Sequence, residues 1–177
     1  MVDATFRELM TGEAAVMRPD VDLDGEGGLK TPVYEEVQSG VRVRIARART
    51  DSEDDLLGRA EDISHVAYGE VVDVRPADRL VTRPVQTALA EDVESGATEL
   101  PVASTDGLHD GQDVEIGAIV EERVITVVGA SSITVSPALE AEHSAGEAVR
   151  VVEQYEVVAV EDAAGAGHHL RMMVRKL

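Results

Sequence analysis

The clearest alternation of apolar and polar positions lies in the final stretch, Ala148 to Leu177. Leu170, Met172 and Val174 alternate with His169, Arg171, Met173 and Arg175, the period of a strand with one face buried and one wet. Ahead of it, Val149, Val151 and residues 155–160 form a β-branched apolar run, parted from the alternating one by Asp162-Ala163-Ala164-Gly165-Ala166-Gly167. Two such runs around a glycine-bearing break predict an antiparallel hairpin. Val157, Val158, Ala159 and Val160 are apolar on both faces, which predicts a central strand covered on both sides.

Earlier segments carry the same texture. Asp3 as a cap, Phe6, Leu9 and Met10 on one face and Gly12 at the end predict a short N-terminal helix. Residues 13–18 read as a strand and 19–31 as a loop rich in Asp and Gly. Two strands, 33–39 and 41–47, are parted by Ser39-Gly40, with Val41, Val43 and Ile45 inward and Arg42, Arg44 and Arg47 on the wet side. Residues 63–68 and 70–74 read as extended, Arg75-Pro76-Ala77-Asp78 as a turn, and 79–82 as a strand. From Arg83 to Arg150 six short β-like runs (85–89, 99–102, 113–116, 121–127, 132–135 and 148–152) are punctuated by Gly96, Asp106-Gly107, Asp110-Gly111 and Gly129. Strands this short and close predict a self-contained small barrel. The expected fold is therefore all-β: a small β-barrel made by residues 1–83 and 152–177, a second small β-barrel domain of residues 84–151 inserted in one of its loops, and the N-terminal helix. Insertion is easiest where the two ends lie close together.

Composition narrows the picture. Phe6, Tyr34, Tyr68 and Tyr155 are the only aromatic residues, so the core is filled by Val, Ile, Leu and Ala. With no cysteine there is neither a disulfide framework nor a thiolate metal site. Residues 1–10 carry no continuous apolar core of a signal peptide, and no run approaches the ~18 apolar residues of a spanning helix. A formal charge of −19 excludes a generic nucleic-acid-gripping surface, which needs clustered cations. Lys30 and Lys176 are the only lysines. An acidic, lysine-poor surface fits a salt-rich cytoplasm, where dense carboxylates stay hydrated and screened; it fits equally a high-GC genome that favours Arg, Ala, Val and Asp codons.

Catalytic and metal motifs are absent or incomplete. Asp20-x-Asp22-x-Asp24-Gly25 opens like a calcium loop, but Thr31 stands where a bidentate Glu belongs. His65, His109, His143, His168 and His169 form no helical pair, and read as surface or interface residues; His168 and His169, consecutive in a strand, face opposite sides. There is no G-x-S-x-G elbow and no phosphate-cradling glycine loop opening a helix. Carboxylates are too many for any close pair to be informative. No catalytic residue, metal site or cofactor is expected. The acidic run Asp51, Glu53, Asp54, Asp55, Glu61 and Asp62 is either a hydrated loop or the lining of an aqueous lumen that repels a polyanion.

Several pieces, taken in order, carry a resemblance: Val16-Met17-Arg18-Pro19 running into Asp22-Leu23-Asp24-Gly25-Glu26-Gly27-Gly28, then Val33-Tyr34-Glu35-Glu36-Val37, Val41-Arg42-Val43-Arg44-Ile45, Ser64-His65-Val66-Ala67-Tyr68, Asp73 to Leu80, and Tyr155-Glu156-Val157-Val158 before a terminal strand with His169. This order resembles the head-closure (stopper, or head-completion) proteins of the head–tail connector of tailed viruses, over residues 13–82 and 153–176. Residues 84–151 depart from that pattern; through Gly96-Ala97-Thr98-Glu99-Leu100-Pro101-Val102, Asp106-Gly107-Leu108, Asp110 to Gly117 and, further on, Leu139, His143 and Ala145 to Val149, they resemble small β modules of viral tail and other surface proteins.

The resemblance implies a non-enzymatic subunit of the virion neck. Such subunits assemble into a cyclic ring, with portal or adaptor above and tail terminator or tail tube protein below. Double-stranded DNA passes the lumen without specific binding; no membrane is involved, and assembly takes place in the host cytoplasm. Asp51, Glu53, Asp54, Asp55, Glu61 and Asp62 are the candidate channel-facing loop. Arg42, Arg44, Arg47 and Arg49 are candidates for pairing with carboxylates of a neighbouring subunit, against intramolecular or solvated pairing. The alternatives are another neck ring protein (adaptor or tail terminator) and a β module that binds a glycan or protein surface.

Overall fold

The computed structural model describes residues 9–20, 32–48, 63–70, 72–162 and 169–177. These are almost entirely strand and turn. The chain divides into two compact units, Met1–Thr82 with Gln154–Leu177, and Arg83–Glu153.

In the first unit the strands are β1 (Gly12–Asp20), β2 (Val33–Arg47), β3 (His65–Gly69), β4 (Arg79–Thr82), the later part of β10 (Ala148–Asp162) and β11 (Leu170–Lys176). Their order is β11-β3-β2-β1-β4-β10, and β10 also pairs with β11, so the pairings close on themselves. No strand at either end of that list is left without two neighbours, which is one way a sheet protects its edges. Inside lies a cluster that includes Val16, Val43, Leu80, Tyr155, Val157 and Met172. Burial of an aliphatic side chain of this size stabilises by about 1.5–3 kcal/mol.

The second unit holds β5 (Gln86–Ala88), β6 (Glu99–Pro101), β7 (Asp113–Ile116), β8 (Glu121–Val128), β9 (Ser132–Ser136) and the first residues of β10. They pair in the order β5-β10-β7-β8-β9-β6. An isolated bridge, Leu89 with Val102, joins the ends of this series. Leu100, Ile116, Ile125, Ile133, Val149 and Val151 fill its own separate core.

Several expectations are corrected. The runs at 33–39 and 41–47 are one strand of fifteen residues. Gly40, at φ 64°, does not break it; the register against β1 slips between Ala14 and Val16, so the extra residues form a bulge. Pro19 and Asp20 belong to β1 and not to the loop. Likewise 148–152 and 155–160 are one strand. That strand is not covered on both faces: Tyr155 and Val157 are buried, whereas Val158, Ala159 and Val160 are half-exposed. Strands buried at successive positions are β11, where Met173, opposite Val66, is as fully buried as Met172, opposite Ala67, and also β1 at residues 14–16 and β4 at 80–82. The hairpin pairing itself is antiparallel as expected, with one shift between Val157 and Ala159. Residues 72–74 form no strand. Most of the expected helix at 3–12 lies outside the described residues; Gly12 already belongs to β1.

Candidate functional site

Beyond the closed ring, β1 and β2 continue as a two-stranded ribbon. Arg18 stands opposite Glu35, Pro19 opposite Tyr34 and Asp20 opposite Val33. On its other side β2 meets β3 only from Val43 to Arg47. Among the described residues, nothing pairs with the far edge of β2 from Val33 to Val41, and all of these except Tyr34 and Val41 are exposed. Val33 is 68% and Val37 47% exposed. An open strand edge with outward valines is a template for adding another strand.

The base of the ribbon is anchored by a charged cluster. Asp78 is 1% exposed. Arg18 forks onto it, Nε donating to Oδ1 at 3.0 Å and Nη2 to Oδ2 at 2.9 Å. The backbone N–H of Arg75 donates to the same Oδ2 at 2.9 Å, so the carboxylate holds the turn that precedes it. Ala77 in that turn has φ 74°, a left-handed conformation that costs a non-glycine residue about 1–2 kcal/mol. Two backbone bonds to β10 hold it there: Ala77 N–H to the Val157 carbonyl and Val157 N–H to the Asp78 carbonyl, each 2.8 Å. Arg79 lies over the Tyr34 ring at 3.7 Å. At the outer side Arg75 and Arg18 both donate to Asp73. The Arg75 bond, with that of Arg18 and against some burial, holds the Asp73 carboxyl below its ordinary range. The bond to Asp78 raises the Arg18 guanidinium, so it stays charged throughout.

Arg42 and Arg44 project from the outer face of β2; Arg47, by the period of two, lies on the side of Val43 and is exposed at the strand end. None of the three makes a hydrogen bond or ion pair with a described residue. Arg44 borders an apolar pocket of about 200 Å³ with Leu9, Met10 and Tyr68. Arg49 and the acidic Asp51, Glu53, Asp54, Asp55, Glu61 and Asp62 lie outside the described residues, as do Asp22 and Asp24 of the calcium-like loop. Among the described residues no group of three or more His, Asp or Glu is placed to hold a metal.

The histidines separate. His65 packs edge-on to Tyr155 at 5.3 Å and His169 lies 6.5 Å from Tyr68. His169 precedes β11 and is not within it, while His168 is outside the described residues. His143 is not a surface residue: it is 4% exposed in the second unit. Its Nε2 lies 3.1 Å from Glu121 Oε1 and its Nδ1 2.8 Å from Glu147 Oε2. Carboxylates only accept, so both bonds form together only when both ring nitrogens carry hydrogen. Glu121 also accepts from Arg123 and, at 2.8 Å each, from the N–H groups of Glu140 and Ala141. Burial pushes the Glu121 carboxyl up, but these donors and His143 outweigh it and the net shift is downward. His143, then the N–H groups of Ser144 and Ala118, lower Glu147.

Neither cluster was anticipated. A weak signal existed for the second: Glu121, Arg123 and Ile125 share one face of β8, which puts a complementary pair beside a core residue. The first had none, since Arg18 and Asp78 are sixty positions apart. The chain matches no protein-family model, and no curated protein matches it.

Proposed function

We propose that this chain is a structural, non-enzymatic ring subunit of the head–tail connector of a tailed virus, acting in the virion neck between portal or adaptor and tail. On this reading each closed or nearly closed set of strands is a small barrel, and the second is an insertion into the first. The observation that carries the proposal is the edge of β2 that no described strand pairs, with Arg42 and Arg44 exposed beside it and unbonded to any described residue, on a chain of formal charge −19. Unpaired guanidinium groups on such a surface are matched by the carboxylates that a neighbouring copy presents, and an open edge gives the copies a shared direction. The resemblance adds a second support: its Arg18, Asp78 and Val157 segments, far apart in the chain, are joined by direct bonds. Asp51, Glu53, Asp54, Asp55, Glu61 and Asp62 are assigned to the lumen, where negative charge lets DNA pass.

Electron microscopy and native mass, for the chain alone and with portal and tail preparations, provide the test. Rings seated on the portal are expected, and Arg42→Glu with Arg44→Glu should abolish them while leaving the monomer folded. Seating on an adaptor-bearing particle's tail side alone would favour a tail terminator. Turnover of a substrate, or particles that lack the chain yet retain DNA and join tails, would overturn the proposal.

A further inference from the structure

Within the second unit, β7 and β8 are joined by Gly117-Ala118-Ile119-Val120, and this turn carries the most exposed aliphatic pair of the unit: Ile119 is 73% and Val120 53% exposed. On the outward side of β8, Val124 and Val127 are also exposed, with Glu122 between the turn and Val124. An apolar tip on a flexible loop would be unremarkable. This one is clamped at both ends by the buried charged cluster. At its start, Gly117 (φ 82°) donates to the Ala148 carbonyl at 2.9 Å and Ala118 N–H donates to Glu147 Oε2 at 3.1 Å. A Cβ on Gly117 would stand 2.2 Å from His143 Nδ1, so the turn is pressed against the imidazole. At its end, Glu121 is buried on Arg123, His143 and two backbone N–H groups. Buried charge is a poor way to gain stability; here its bonds tie down both ends of a turn whose apolar side chains face outward.

The surroundings indicate what the tip meets. Residues 83–153 contain three cations, Arg83, Arg123 and Arg150, and no lysine, among carboxylates that outnumber them several-fold. Two of the three are held internally, Arg83 by Glu115 at 2.7 Å and Arg123 by Glu121. Beside the turn, Glu122 and Glu140, whose backbone N–H meets Glu121, remain exposed. A second copy would bring like charge to like charge.

We propose that the Ile119–Val120 turn is a preorganised docking knob for a protein surface that presents an apolar socket flanked by lysine or arginine. Rigidity lowers the ordering cost of docking, the two aliphatic side chains supply the contact area, and the carboxylates select and steer a basic partner. The proposal rests on the second unit alone and is independent of ring formation by the first.

The test uses the full chain, labelled for amide NMR, and an amphipathic leucine–lysine peptide as probe. Shifts centred on Ala118 to Val124 are expected, with affinity falling about ten-fold in Ile119→Ser with Val120→Ser and also falling as salt is raised from about 0.1 to 0.5 M. A leucine–serine peptide should not bind. Shifts spread evenly over the acidic surface, affinity unchanged by the double substitution, equal binding of the leucine–serine peptide, or self-association of the chain through this turn would each overturn the proposal. The double variant should still form whatever oligomer the parent forms, so failure here and failure of the ring reading are distinguishable.

Discussion

At the scale of single residues, the most informative positions are polar ones that the fold has buried. Glu121 shows how the balance is struck. Desolvation alone would favour its neutral form, yet two backbone N–H groups, His143 and Arg123 hold it ionised. Because the folded values of Glu121 and Glu147 lie below their ordinary 4.5, their contribution to stability is fully present above that pH and is lost as pH falls through the folded values. Acid titration followed by circular dichroism should therefore show the second unit losing stability below about pH 4.5. Glu121→Gln should lower stability at neutral pH and flatten that acid slope. An unchanged slope would mean that Glu121 carries no linkage.

At the scale of elements, glycines separate a turn that must be glycine from one that merely prefers it. Gly40 sits in the β2 bulge at φ 64° with open space where a Cβ would be, so Gly40→Ala should cost only the left-handed penalty of about 1–2 kcal/mol. Gly117→Ala meets the same penalty and also drives a Cβ into His143, so its loss should be clearly larger. Denaturant unfolding of the two variants measures the difference; equal losses would show that His143 moves aside freely. The bulge at Gly40 also explains why a glycine that reads as a break is not one. A strand absorbs an extra residue by bending, provided its neighbour supplies pairing on either side, and β1 does so here. Turn residues and short β-like runs place β4 and β7 to the residue, but split β2 and β10 in two and read 70–74 as extended although 72–74 form no strand. Period-two patterning is a weaker guide. It failed on β11, where Met173 was placed on the wet side yet is fully buried. It carries little information in β8, whose buried face holds Glu121 and Arg123 while Val124 and Val127 face outward.

At the scale of the whole molecule, the chain holds two cores that share no residue. Leu80 lies at the centre of one and Ile125 of the other, both fully buried. Leu→Ala or Ile→Ala at such sites costs about 2–5 kcal/mol. Calorimetry should therefore show two transitions, Leu80→Ala lowering one and Ile125→Ala the other. A single transition shifted equally by both would show that the units unfold together.

Local chemistry was enough to establish that the molecule is built of short strands: alternation of side chains across a pleat and the backbone freedom of Gly-Asp turns act within a few residues, and both are written in the order of the amino acids. Which polar groups enter the interior was decided only by the tertiary structure. Burying Asp78 or His143 is tolerable only with partners at Arg18, Glu121 and Glu147; Arg18 and Asp78 are brought together by the pairing of β1 with β4 across sixty positions, and His143 and Glu121 by the 139–143 segment folding back on β8 across twenty-two.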